Sequence, residues 1–221
     1  MDMAALTLVI GNKNYSSWSL RPWLLLKQFG VAFDEIKLPL DTPEFYERLK
    51  QYSPAGRVPV LIDGDLSVWD SLAICEYVNE RHLDGNGWPA DPAQRARARS
   101  LSAEMHAGFN ELRNTLPFNC RKRVATPALE EDVKRDIARI REIWREAREQ
   151  HARRGEFLFG DFSIADAMYA PVAARFRSYA IELGEIERRY VETLLALPAM
   201  REWFAEAATE PIAPLHEQNV A

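Results

Sequence analysis

The spacing of apolar residues changes once along this chain, and the change splits it in two. Residues 6–10, Leu-Thr-Leu-Val-Ile, form a short, partly β-branched apolar run that predicts a buried strand. Residues 22–29 carry helical apolar spacing, with Pro22 suited to a first turn and Gly30 to the position just past the end. Residues 33–38 alternate as a second strand. Residues 43–51 predict a helix opened by Asp41 or Thr42. Residues 58–62 predict a third strand, interrupted by Pro59, and Asp63-Gly64 is a hairpin signal that pairs residues 66–69 with it in antiparallel fashion. A helix over 70–81 completes the order β-α-β-α-β-β-α.

Residues 84–92, Asp-Gly-Asn-Gly-Trp-Pro-Ala-Asp-Pro, have the composition of a linker. Beyond them strand patterns cease. Helices are predicted over 93–116 (one long element), 129–152, 163–180, 186–197 and 200–208. The fold class expected is α/β, thioredoxin-like in its element order, followed by an all-α helical bundle. The domains are then residues 1–83, a linker over 84–92, and residues 93–221.

Composition narrows the function classes. The chain has 221 residues, 47% hydrophobic and 28% charged, with a formal charge of -5. That balance argues against a nucleic-acid partner held by a basic surface. The one basic cluster, Arg121-Lys122-Arg123, is followed by Glu130, Glu131 and Asp132, and reads as a mixed solvated surface or a local anion contact. Cys75 and Cys120 lack redox or metal spacing, as expected of two reduced thiols. His82, His106, His151 and His216 are scattered without ligand spacing, so no metal is expected and each reads as a surface or satisfied histidine. No apolar span is long enough for a membrane helix, and residues 1–6 have no leader pattern; the expectation is a cytoplasmic protein with no membrane partner.

Four features could carry chemistry. The turn Tyr15-Ser16-Ser17-Trp18-Ser19 lies between a strand and a helix, where hydroxyls and free N–H groups meet the positive end of a helix dipole. Its serines could equally bond their own backbone. No histidine lies near to make a serine nucleophile pair. Pro59 cannot donate to a sheet ladder, so it marks an edge strand or a cis bond; a cis bond would turn the Val58 backbone out toward an extended peptide. Asp70-Ser71 caps a helix and could also bind the two charges of an amino-acid head group. Ser163-Ile164-Ala165-Asp166 is a capping box with Asp in the acid position, a structural feature worth about 1 kcal/mol.

Taken in order and spacing, these motifs resemble the cytosolic glutathione S-transferase family over nearly the whole chain. The carrying residues are Tyr15-Ser16-Ser17-Trp18-Ser19-Leu20-Arg21, Val58-Pro59 with Asp70-Ser71-Leu72-Ala73-Ile74, and Gly160-Asp161-Phe162-Ser163-Ile164-Ala165-Asp166. The resemblance implies glutathione as co-substrate, a small electrophile as partner, a detoxification role and a homodimer built on the first long helix of the second half. It implies that Val58 bonds the cysteinyl backbone beside a cis Pro59, that Asp70 and Ser71 hold the γ-glutamyl end, and that Ser16, with Ser17 close behind, meets the sulfur. Lys50, Gln51 and Arg57 are candidates for the glycyl carboxylate. Tyr15, Trp18, Phe109, Phe118, Arg121 and Arg177 are candidates for the electrophile pocket, although Phe109 and Phe118 also suit a core and Arg121 a surface.

The two serines are most similar to the zeta class, which includes maleylacetoacetate isomerase. The resemblance to that class makes a cis-trans isomerase the alternative activity, although the class has a cysteine where this chain has Trp18, a departure that speaks against it. A non-catalytic interaction protein on the same fold is the other. The chemistry implied is thiolate attack: a free thiol near pKa ~8.5 is only a few per cent ionised at neutral pH. A hydroxyl donor and a helix N-terminus favour the charged form. The protein then holds an electrophile beside it.

Overall fold

The computed structural model describes residues 6–213 and Glu217; His216 and residues 1–5 lie outside the described residues. Strands β1 (Leu6–Ile10), β2 (Phe33–Lys37), β3 (Val60–Asp63) and β4 (Leu66–Trp69) form one sheet in the order β2-β1-β3-β4. β1 pairs parallel with β2 and antiparallel with β3, and β3 pairs antiparallel with β4 across the Asp63-Gly64 turn, where Gly64 takes φ +58°. Alternation along the strands feeds two faces. Leu6, Leu8, Ile10 and Leu61 enter the main core with α1 (Ser17–Gln28) and α3 (Ser71–His82). Val9 and Val60 face α2 (Pro43–Leu49) through Phe45 and Leu49 in a smaller core.

The helices α4 (Pro92–Ala107), α5 (Asn110–Thr115), α6 (Glu131–His151), α7 (Ile164–Ser178), α8 (Glu185–Leu195) and α9 (Pro198–Thr209) follow. No strand lies among them. This is the expected architecture, a thioredoxin-like sheet domain followed by helices. α7 is the hub: it is buried from Ile164 through Phe176 and packs on both α1 and α4. Trp144 of α6 sits among the rings of Tyr169, Phe176 and Tyr190 at centroid distances of 5.1–6.0 Å.

Three expectations are corrected. α1 begins at Ser17, five residues before Pro22, which therefore lies inside the helix. Pro22 has no N–H to give to the preceding turn, and burial of Leu20, Trp23, Leu24 and Leu25 against the core outweighs that loss. β3 starts after Pro59 and lies inside the sheet, so Pro59 marks the beginning of an interior strand and not an edge. The long helix over 93–116 is two helices. Gly108 closes α4, and Phe109 adopts left-handed backbone at φ +60° before α5. Arg113 caps the break, donating to the carbonyls of Gly108 (3.0 Å) and Met105.

Both cysteines are free and buried, and burial pushes the Cys120 thiol up to about 12 and Cys75 higher still. No helix among the described residues is long and apolar enough to cross a membrane.

The Ser163–Asp166 motif does structural work. Asp166 is fully buried and accepts from Leu158 N–H (3.0 Å), Ser163 N–H (2.9 Å), Ser163 Oγ (3.0 Å) and Tyr190 Oη (3.1 Å). Burial pushes its carboxyl up to about 6, against these four donors. The folded state therefore binds a proton more readily than the unfolded chain, where the group titrates near ~3.9. Asp166 contributes most below pH ~4, and that contribution is lost as pH rises through about 6. Asp166→Ala, which strands several buried donors, should lower urea-unfolding stability by about 3 kcal/mol. Asp166→Asn should abolish the decline in stability between pH ~4 and ~6 that the native protein shows; an identical pH profile in the two proteins would exclude Asp166 as its source.

Candidate active site

The loop between β1 and α1 carries the two serines, and tertiary contacts hold it from behind. Glu210, just after α9, accepts from the N–H groups of Lys13 (2.9 Å) and Asn14 (3.0 Å), and its carboxylate also meets Lys37 Nζ at 3.0 Å. The Lys13 side chain is buried between Glu35 (2.8 Å) and Glu206 (2.7 Å), with its ammonium over the Trp23 ring. Asn14 C=O accepts from Cys120 N–H, and Asn14 Oδ1 from Arg121 N–H. The loop thus ends against the first turn of α1 with its backbone donors already spoken for. Ser16 stands at the N-cap, where its Oγ donates to Ser19 Oγ (2.7 Å), which also accepts from Gly11 N–H (3.2 Å). Ser17 Oγ accepts from Arg175 Nη2 at 3.4 Å.

In front of this turn opens a cleft of about 560 Å³ lined by Trp18, Ala55, Arg57, Val58, Pro59, Trp69, Asp70, Ser71 and His106. The Val58–Pro59 bond is cis, and the ladder of β3 begins only at Val60, which leaves the Val58 backbone outside the sheet. Asp70 adopts φ +77°, and its Oδ1 caps α3 through Leu72 N–H (2.9 Å) and Ala73 N–H (3.2 Å). Its Oδ2 lies 3.1 Å from His106 Nε2 of α4. Burial, with the nearby guanidinium groups of Arg21 and Arg113, holds the His106 imidazole below its ordinary value despite Asp70. Ser71 Oγ accepts from Arg21 Nη1 at 3.3 Å.

The structure brings together Trp18, Arg57, Val58, Pro59, Asp70 and Ser71, with Ser16 and Ser17 at the adjoining helix start. Lys50 and Gln51 are exposed beyond the end of α2, outside the cleft lining, whereas Arg57 lines it. Phe109 and Phe118 are core residues. Tyr15 and Arg121 face each other away from the cleft lining: Arg121 Nη2 donates to Tyr15 Oη (2.8 Å), which donates to Glu217 (2.6 Å), while Arg121 Nη1 donates to Glu210 C=O (2.7 Å). Arg177 lies over the Phe204 ring at 3.9 Å, in a different cleft of about 730 Å³ between α7, α8 and α9.

Sequence reasoning missed His106, Arg21, Arg113 and Arg175. Two helix positions amount to a rotation of about 200°, so choosing Arg177 over Arg175 selects the opposite side of α7. Nothing in the spacing of His106, 36 positions from Asp70, signals their contact. Among the described residues no cluster of three or more His, Cys, Asp or Glu side chains could hold a metal.

A profile for the glutathione S-transferase N-terminal domain matches residues 15–81, and one for the C-terminal domain matches residues 123–206. A probable maleylacetoacetate isomerase of Caenorhabditis elegans is 28% identical over 83% of this chain and 85% of its own length. A stringent starvation protein A homolog of Coxiella burnetii is 23% identical over 98% of both chains. Among solved structures, a glutathione transferase homolog from Burkholderia with bound glutathione superposes with a TM-score of 0.72 at 23% identity, over 94% of this chain and all of that one, a likeness of fold.

The loop geometry carries its own test. Glu210→Ala strands the Lys13 and Asn14 donors, so stability should fall by about 2–3 kcal/mol. Amide exchange at Lys13 and Asn14 should accelerate by more than at α7. Protection retained at both amides would show that Glu210 does not anchor the loop.

Proposed function

Because the chain belongs to the glutathione S-transferase family, whose two domain profiles it matches, we propose that it is a glutathione-dependent transferase in which a serine at the start of α1 holds the sulfur as a thiolate. One observation carries this reading. A single cleft gathers an unladdered backbone edge at Val58 and a carboxylate and hydroxyl pair at Asp70-Ser71, and its wall at Trp18 adjoins the start of α1, where Ser16 and Ser17 stand. Those groups match, in order, a peptide backbone, a zwitterionic head group and an anion.

The fit can be followed residue by residue. Val58 N–H and C=O would pair with the cysteinyl unit as one strand pairs with another. Asp70 Oδ2 would receive the ammonium; its Oδ1 is committed to the helix cap. Ser71 and the first N–H groups of α3 would hold the γ-glutamyl carboxylate. Arg57, in the cleft lining, is the donor for the glycyl carboxylate. Ser16 Oγ would turn from Ser19 to the sulfur, and the positive end of α1 adds to the same preference for negative charge. Each pH unit by which the thiol pKa falls corresponds to about 1.4 kcal/mol of preference for the thiolate.

The likeness to a probable maleylacetoacetate isomerase supports a second activity, glutathione-dependent cis-trans isomerisation. Trp18, where the zeta class has cysteine, separates the two, and turnover of maleylacetone beside that of an aryl halide decides between them. A homodimer is proposed through α4, the first long helix of the second half, packed against the sheet domain of the partner. A concentration-independent monomer mass in sedimentation would exclude it.

Ser16→Ala should raise the thiol pKa of bound glutathione by one unit or more in ultraviolet titration and leave thermal unfolding within a few degrees of the native protein. Ser17→Ala, run beside it, should have the smaller effect. An unchanged titration in Ser16→Ala would remove that residue from the role.

A further inference from the structure

The helical domain reaches the Asp70 end of the cleft with one side chain. His106, in the last turn of α4, sets its Nε2 3.1 Å from Asp70 Oδ2. Asp70 Oδ1 is already committed to the Leu72 and Ala73 N–H groups. Oδ2 is therefore the oxygen left for a ligand ammonium, and the imidazole stands on it first. Contact with a carboxylate places the proton of the neutral ring on Nε2, as a donor. The other nitrogen, Nδ1, is buried without a hydrogen-bond partner. A second proton taken up there has no acceptor to hold it.

The ring is fixed by its neighbours. Trp18 meets it edge-on at 5.3 Å, and the same indole carries the Arg21 guanidinium at 4.2 Å and the Arg113 guanidinium at 4.8 Å from its centroid. The charged groups acting on His106 are Asp70 at the start of α3, Arg21 of α1 and Arg113 of α5. Arg57 lines the same cleft. Elsewhere along α4, Glu76 of α3 is bound to Arg99 and to Trp88 Nε1, and Tyr169 of α7 donates to Leu101 C=O, its phenol pushed up by burial. Burial and the two guanidinium groups hold the imidazole down, and only Asp70 favours its charged form.

The two forms of the ring leave Asp70 in different states. A neutral N–H occupies one lone pair of Oδ2 and leaves the carboxylate charge for an ammonium. An imidazolium neutralises that charge and sets a like charge beside the incoming group. The γ-glutamyl carboxylate goes to Ser71 and the start of α3, so the charge brought up to His106 is the ammonium.

We propose that His106 is a positioning residue that makes glutathione capture proton-linked: the neutral ring holds Asp70 toward the γ-glutamyl ammonium, and the imidazolium takes the ammonium's place. This rests on the transferase reading above and adds a regulation of the same cleft. Glutathione binding then expels the second proton of His106. Affinity is full above the imidazole midpoint, which lies below ~6.5, and is lost as pH falls through it. By linkage, bound ligand lowers that midpoint by the same factor.

S-Methylglutathione is the probe, because its sulfur does not titrate. In calorimetry the native protein should bind it at least threefold more weakly at pH 5 than at pH 7. His106→Gln, which keeps an N–H donor at similar reach, should bind it equally at both. The analogue with hydrogen in place of the ammonium should show no decline in the native protein. A second measurement needs no variant: the His106 imidazole resonance, assigned by its contact with the Trp18 ring, should titrate about half a pH unit lower in saturating ligand, the same threefold coupling seen from the other side. A decline retained in His106→Gln, an equal decline with the ammonium-free analogue, or an unmoved imidazole midpoint overturns the proposal. Uptake by the native protein that does not change with pH sinks the proton linkage alone. No uptake of S-methylglutathione at pH 7 sinks the transferase reading, and the linkage falls with it.

Discussion

A buried carboxylate holds the serine-bearing loop of this molecule in place. Glu210 is last in line after α9, nearly 200 residues from the two backbone N–H groups it accepts from. Those donors belong to the loop that delivers Ser16 to the start of α1. A loop between a strand and a helix is ordinarily free to sample many conformations. Here its donors are paired within a water-poor environment, where an unpaired amide is expensive, and that fixes the direction in which the serines leave the backbone. The helical domain therefore does more than cover the sheet domain; it sets the geometry of the turn at the edge of the cleft.

The same packing logic runs through α1. Its apolar side meets the sheet and α3, and it also packs against α7, the most buried helix. A helix shared by two cores cannot shift without disturbing both, and this rigidity explains how Pro22 is tolerated mid-helix. It also explains why Arg21 and Arg175 are buried together: both lie on helix faces whose neighbouring positions are core. Burial has opposite consequences for different groups here. It makes Cys75 and Cys120 poor nucleophiles by raising their thiols, and it lowers the Arg21 and Arg175 guanidinium pKa values by stripping those groups of water.

The cleft is assembled from distant segments that meet only through the fold. Trp18 comes from α1, Val58 and Pro59 from the approach to β3, Asp70 and Ser71 from the start of α3, and His106 from α4. The local character of most was legible. Asp70 is a helix cap because a side-chain oxygen precedes free N–H groups. Val58 stands outside the sheet because the ladder begins only after Pro59, which has no N–H to give it. His106 had no such local signature, since its partner Asp70 is in another element. Arg177 entered through the family resemblance, which does not fix the register along α7, and only packing shows which side of that helix faces α1.

Local rules, acting on neighbouring residues, therefore determined the element order, the Asp63-Gly64 hairpin, the caps at Thr42, Asp70 and Ser163, and the serine turn itself. These depend on backbone donors, turn conformations and apolar period, which are short-range properties of a chain. Tertiary structure alone decided where the helix over 93–116 breaks, that α1 reaches back to Ser17, and which charges gather around Trp18. Those outcomes depend on side chains far apart in sequence competing for the same buried volume and the same few acceptors. That competition is settled only when the sheet and the helices close on one another.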